Sequence, residues 1–223
     1  MNQVRISDTT LCRESGRFSF KEKIEIARQL EKLRVDKIEL PAVENVKTDV
    51  LLVRTVSSFV KSATLSVAAG ESTESVDNAA AALSASAHKS IRIELPLSPV
   101  GMEYTCHKKP PKMLEWIAKI VSYAREKCDT VEFCAIDATR AEPDFLNRAL
   151  TTAAASGAAE ITVCDSAARL LPDDFAAFLS EIVQVVHCPV GVRCNNRNGL
   201  AAAQAILAVR AGVCEVKTAI EGD

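Results

Sequence analysis

The sequence predicts a (β/α)8 barrel, and three observations carry that expectation. Short β-branched runs recur at intervals of about 25 to 35 residues, with amphipathic helical stretches between most of them, the written form of a parallel α/β sheet. Eight such runs can be counted. No Gly-x-Gly-x-x-Gly follows any of them, which weakens the open, doubly wound alternative. With 223 residues and 48% hydrophobic content the chain can bury one large core, and we read residues 1–223 as a single domain. The sequence stops just past the eighth run, short of the ~250 residues typical of such barrels, so a barrel lacking its last helix is expected. That would leave an apolar groove between the outer faces of strands eight and one, suited to another copy of the chain or a partner subunit.

The expected strands, in order, are VRIS (4–7), KIEL (37–40), ATLSVAA (63–69), SIRIEL (90–95), TVEFCA (130–135), EITVC (160–164), PVGVRC (189–194) and CEVKTA (214–219). Each is short and mostly apolar, as expected of strands buried on both faces. Between them, residues 21–33 place Ile26, Leu30 and Leu33 on one helical face. Residues 110–127 begin with two prolines that suit a first turn, and Leu114, Ile117, Ile120, Val121 and Ala124 form the inward stripe. Pro172 opens another helix, with Asp173 and Asp174 at the positive end of its dipole. Gly157 and Gly212 each follow a helix and precede a strand, where a left-handed cap is expected.

A formal net charge of -2, with Lys and Arg spread along the chain, gives no electrostatic reason to expect nucleic acid or an anionic membrane as partner. No apolar run approaches the ~20 residues of a membrane span, and the N-terminus is too polar for a signal peptide, so a cytoplasmic protein is expected. The eight cysteines contain no Cys-x-x-Cys pair, and they read as packed, reduced thiols. His88 is expected to end a helix, His107 to sit in a basic loop, and His187 to precede a strand on the rim opposite the site; all three read as surface residues.

The turns after the strands carry a further signal. Asp8-Thr9-Thr10-Leu11 follows strand one, Ile38-Glu39 lies in strand two, and Asp137-Ala138-Thr139-Arg140 follows strand five. Asp165-Ser166 with Pro172 follows strand six, and Asn196, Gly199-Leu200-Ala201 and Ala211-Gly212 mark the seventh unit. In order and spacing these resemble the catalytic barrel of the isopropylmalate, homocitrate and citramalate synthases, the superfamily of hydroxymethylglutaryl-CoA lyase. The resemblance implies a TIM barrel in which a divalent cation polarises a 2-oxo acid for attack by the enolate of an acyl-CoA, or a related lyase cleavage. It also implies metal ligands from the aspartate of D-T-T-L-R-D and two histidines of an H-x-H motif in strand seven, with an arginine beside that aspartate.

Against that pattern the chain departs at the strands' C-terminal ends. The H-x-H pair aligns with Arg193 and Asn195; Arg offers no lone pair and repels a cation, and an Asn oxygen is a weak neutral ligand. The arginine-aspartate pair becomes Cys12-Arg13, or Arg13-Glu14 after a one-residue slip. A histidine after strand four is Gly101, a glutamate before D-A-T-R is Ile136, and an aspartate of the seventh unit is Arg197. By resemblance, Arg13, Glu14 and Glu39 are the expected catalytic residues. Asp8, Arg140, Asp165, Arg193 and Asn196 are expected to bind substrate, a small carboxylate or 2-oxo acid, with Glu14 and Asn195 the remaining metal ligands. The expected function is that of a divergent homologue, an acyltransferase or carbon–carbon lyase whose metal site is largely lost and whose family activity is weak or absent. The alternative is a non-catalytic binding or regulatory subunit that holds an anionic metabolite among Arg13, Arg140, Arg169, Arg193 and Arg197.

Overall fold

The computed structural model describes residues 3–12 and 17–220. Eight parallel strands close into a barrel in sequence order: β1 (Arg5–Asp8), β2 (Lys37–Leu40), β3 (Thr64–Ala69), β4 (Lys89–Pro96), β5 (Val131–Ile136), β6 (Glu160–Asp165), β7 (Val190–Cys194) and β8 (Glu215–Thr218). Around them run α1 (Phe20–Leu33), α2 (Val46–Phe59), α3 (Thr73–Ala82), α4 (Pro99–Tyr104), α5 (Pro110–Lys127), α6 (Pro143–Ala155), α7 (Pro172–Val185) and α8 (Ala201–Arg210).

The expectation of a barrel short of a helix is thereby corrected. Among the described residues eight α-helices accompany eight strands, two of them, α4 and α5, between β4 and β5. The ring has no unpaired edge: β8 runs beside β1 from the Arg5–Glu215 pair to the Asp8–Thr218 pair, and Thr9 N donates to Thr218 O at 2.7 Å. On the outer face of this seam Val216 is buried, while Ile6 is 36% exposed. No described helix is long and apolar enough to cross a membrane.

The helices form where their sequences specify them. Pro110 and Pro111 open α5, and Pro172 opens α7 with Asp173 and Asp174 in its first turn. Gly157 (φ +105°) and Gly212 (φ +106°) take the left-handed conformation at the two expected caps. His88 differs: it follows a short 3-10 turn, Leu83–Ala85, rather than an α-helix.

The strands are buried on both faces, but only one face is apolar. Ile38, Leu40, Leu65, Val67, Ile91, Ile93, Val131, Phe133, Ile161 and Val163 point outward into a single apolar layer with the helices. The alternate positions, among them Lys37, Glu39, Ser66, Arg92, Glu132, Thr162 and Glu215, point into the barrel and are also buried. The strands are thus buried on both faces as expected, while the inward face is polar rather than apolar. Most of the barrel's axis is polar, and its stability rests on pairing the charges it encloses.

Candidate functional site in the barrel axis

Lysines from the second and eighth strands organise the interior. Lys217 Nζ lies 2.6 Å from Glu132 Oε1 and also bonds Glu39 Oε1. Lys37 Nζ reaches Glu132 Oε2 at 3.0 Å and Glu215 Oε1 at 2.9 Å, and it bonds Glu160 as well. Arg92 spans the strand above: Nη1 lies 3.3 Å from Glu39 Oε2, Nε donates to Glu94 Oε1 at 2.6 Å, and Nη2 donates to Leu40 O at 3.3 Å. Ser7 Oγ donates to Glu39 Oε1 at 2.7 Å and Thr162 Oγ1 to Glu132 Oε1 at 2.7 Å. At the N-terminal end Arg5 Nη2 closes over Glu160 at 2.5 Å and stands 3.5 Å from Glu215 Oε2.

Burial opposes charge on every member, so each shift reports which neighbours prevail. Burial favours the neutral forms of Lys217 and Arg92, yet the surrounding glutamates hold both well above their usual ranges. Burial likewise pushes Glu132 and Glu39 up, but Lys217 and Lys37 hold Glu132, and Arg92 and Lys217 hold Glu39, below the usual carboxylate range. Glu215 moves the other way. Burial, reinforced by Glu160 and Glu132, raises it beyond what Lys37 can offset. Its Oε2 is buried and accepts no hydrogen bond.

Glu39, Glu132 and Glu215 thus bring carboxylate oxygens within 4.8 Å of one another, on three strands. Three hard oxygen donors are the chemistry that Mg²⁺ or Mn²⁺ selects, and Glu215 Oε2 is the donor with no hydrogen-bond partner. The other carboxylate oxygens are shared with the ammonium groups of Lys37 and Lys217 and, at Glu39 Oε2, with the Arg92 guanidinium, so a cation there competes with fixed positive charge. Of this set the sequence motifs point to Glu39 alone. The signal for the others is a glutamate at the inward position of an alternating strand, Glu132 in VEFCAI and Glu215 in EVKT.

At the C-terminal mouth the expected residues divide into two groups. Asp137 adopts a left-handed backbone (φ 58°) and is gripped by the Arg140 fork, Nε to Oδ1 at 2.8 Å and Nη2 to Oδ2 at 2.5 Å. Asp165 is fully buried and accepts from Thr139 Oγ1 at 2.6 Å, Arg169 N at 3.2 Å and Gln204 Nε2 at 3.3 Å. Asn196 Oδ1 accepts from Ala201 N at the start of α8, and Asp8 Oδ1 accepts from Thr10 N at 2.9 Å. These residues build their own turns. Arg169 is also tied down, Nη1 donating to Thr139 O at 3.0 Å.

The second group faces the axis. Arg193, half-buried on β7, is close enough to Cys12 to act on its thiol, which burial pushes up to about 12. Cys12 Sγ in turn accepts from Arg92 Nη2 at 3.5 Å. Asn195 spends both ends of its amide locally, Nδ2 donating to Ser166 O and Oδ1 accepting from Arg197 N. Arg13 and Glu14, expected to be catalytic and, for Glu14, a metal ligand, lie outside the described residues.

The opposite end carries a cavity of about 850 Å³, lined by Arg5, Arg34, Lys37, His88 and Glu215 among others. It places Glu215 within reach of solvent-side groups at the N-terminal rim, away from the mouth.

Residues 3–223 match the HMGL-like family. The chain belongs to the HMGL-like family. It is 35% identical to 2-isopropylmalate synthase of Aquifex aeolicus over 228 residues, covering 99% of this chain and 44% of that protein. With 2-isopropylmalate synthase of Oceanobacillus iheyensis the identity is 31% over 231 residues, covering 100% of this chain and 45% of that protein. The HMGL-like chain therefore spans under half the length of these relatives. Among solved structures it is similar to the HMG-CoA lyase of Bacillus subtilis, with a TM-score of 0.84, 14% identity, and coverage of 98% and 77% of the two chains. An HMG-CoA lyase from Acinetobacter baumannii, in complex with coenzyme A and 3-methylmalate, gives a TM-score of 0.78 at 14% identity and coverage of 98% and 75%. At such identity these structures speak for the fold.

One functional expectation is corrected by the barrel axis. Substitution of the histidine pair by Arg193 and Asn195 suggested a largely lost metal site and, with it, weak or absent activity. The HMGL-like barrel instead holds an intact, buried set of three carboxylates in its axis. The strand-seven positions are silent about these donors, which come from β2, β5 and β8.

Proposed function

We propose that this HMGL-like barrel makes or breaks a carbon–carbon bond between an acyl-CoA and a small 2-oxo acid, and that Glu39, Glu132 and Glu215 are its donor set for a divalent cation. The observation that carries this reading is the convergence of the three buried carboxylates, with Glu215 Oε2 lacking a hydrogen-bond partner. The 2-isopropylmalate synthases matched over nearly the whole chain support the reaction class. When bound, such a cation supplies Lewis-acid stabilisation of oxyanion charge.

The chain's own residues supply the rest. Arg92, fixed between Glu39 and Glu94, presents a permanent positive charge in the axis for developing negative charge on substrate oxygen. Arg193 stands where the family's strand-seven ligand pair is expected and offers a forked donor to the substrate carboxylate. Glu94, 31% exposed and nearer the C-terminal end than Arg92, is the member of the network positioned to take a proton from an acyl-CoA α-carbon. By the family resemblance alone, Arg13 and Glu14 are assigned catalytic roles as well.

The test is thiol release from acetyl-CoA over a panel of 2-oxo acids, with and without Mg²⁺ or Mn²⁺, alongside calorimetric metal titration. Expected are saturable binding of one divalent cation and cation-dependent thiol release, each weakened about 10-fold or more in Glu215→Gln. Circular dichroism confirms that the variant is folded. Absence of both binding and release across the panel overturns the proposal.

A further inference from the structure

The cavity of about 850 Å³ at the N-terminal end of the barrel lies opposite the mouth and has no part in the proposed reaction. Its floor is built by the first residues of four neighbouring strands, Arg5 of β1, Lys37 of β2, Thr64 of β3 and Glu215 of β8. Lys32 and Arg34 at the end of α1, Asp36, Ser62 and His88 form its rim.

The carboxylates that line it are already engaged. Glu31 accepts from the backbone N–H groups of Lys61, Ser62 and Ala63 at 2.9, 2.8 and 3.1 Å. Asp36 Oδ2 accepts from Ile6 N at 2.8 Å and Glu215 Oε1 from Lys37 Nζ at 2.9 Å, while the Arg5 guanidinium faces Glu215 Oε2 at 3.5 Å. The basic groups of the rim differ. Among the described residues Lys32, Arg34 and His88 are exposed and pair with no carboxylate, and the Thr64 hydroxyl makes no hydrogen bond. What remains open to a ligand is a set of donors.

Arg34 is the informative member. It closes α1 with a left-handed backbone (φ 58°, ψ 43°), where glycine is the least strained choice. A cation near the end of a helix also complements the dipole, but Lys32 does that from within α1 and in helical geometry. The strained backbone of Arg34 therefore calls for a second reason, and its guanidinium stands at the rim of the cavity.

We propose that this cavity binds a phosphate group. Donors reach it from the end of α1, from the loop before β4 and from the first residues of β1 and β3. The tetrahedral oxygens of a phosphate can accept from all of these directions at once, whereas a planar carboxylate has two oxygens to offer. The volume leaves room for an organic part beyond the phosphate. The proposal stands apart from the carbon–carbon bond chemistry, so neither depends on the other.

Calorimetric titration of the full chain with inorganic phosphate, glycerol 3-phosphate and succinate, at low and high salt, tests it. Saturable binding of a phosphate probe at one site is expected, weaker at high salt, with succinate at least about tenfold weaker. Tighter binding of glycerol 3-phosphate supports the site with an ester as its ligand, and tighter binding of inorganic phosphate supports it with the free ion. Arg34→Gly is expected to lose about tenfold in affinity. Its midpoint in urea is expected at or above that of the unchanged chain, because glycine relieves the backbone. Lys32→Gln, which leaves the left-handed cap untouched, is expected to weaken binding as well. No saturable binding of either phosphate probe overturns the site, as does an affinity that neither variant alters. Succinate binding as tightly as the phosphates overturns the assignment to phosphate.

Discussion

Lys217 is the residue on which the interior most depends. Its ammonium is buried against Glu39 and Glu132, two carboxylates that burial alone would drive toward their neutral forms. Lys217→Met keeps the stem's length and apolar packing but leaves both glutamates without that partner. The expected loss is about 3–5 kcal/mol, the usual consequence of breaking one side of a buried ion pair, read as a lower midpoint in urea denaturation. A loss within the range of surface substitutions would show that Arg92 and Lys37 can take over the charge. Glu215 illustrates the converse: Lys37 and Arg5 surround it, yet burial, reinforced by Glu160 and Glu132 beside it, keeps its proton affinity above the ordinary carboxylate level.

At the scale of single elements, α1 shows how local signals set boundaries. Ser19 N donates to Glu22 Oε2 at 2.7 Å and Ser19 Oγ accepts from Glu22 N at 3.4 Å, a reciprocal cap. Ser19→Ala is expected to cost about 1 kcal/mol, measured by the same denaturation. The far end of α1 is tied down by Glu31, which accepts from Lys61 N, Ser62 N and Ala63 N in the loop before β3. The segments that carry the family resemblance prove to be such devices too. Asp137 and Thr139 lock onto Ser166 and Asp165 across two successive turns, with Arg140 gripping Asp137, and Asn196 Oδ1 accepts from Ala201 N at the start of α8. Their place in the sequence identifies the family because each builds a strand-to-helix turn at the mouth.

Closure is the property of the whole molecule. Arg5 N donates to Cys214 O and Thr9 N to Thr218 O, bracketing the β1–β8 seam, and Ile220 N donates to Thr10 Oγ1 at 2.8 Å. A chain ended after Val213 would lose β8 and, with it, both Glu215 and Lys217, leaving two strand edges unpaired and the central glutamates short of a cation. Such a chain is expected to show no cooperative thermal transition and to bind a hydrophobic dye strongly. A sharp melt near that of the full chain would show that the barrel holds together without the interior network.

The sequence by itself determined the alternation of strand and helix, the parallel barrel and the family. Those are written in local terms, as hydrophobic period, capping residues and short motifs whose order survives in one dimension. It also carries more of the site than its motifs reveal. The inward positions of KIEL, VEFCAI and EVKT alternate charged or polar with apolar residues, and that period of two already assigns Glu39, Glu132 and Glu215 to one face. Only the tertiary structure decided which charges meet. Lys37 bonds Glu132 and Glu215 across 95 and 178 residues of sequence, a pairing set by ring closure and register rather than by any local preference. The period of a strand fixes the face a side chain takes, whereas its partner across the axis exists only once eight strands have closed.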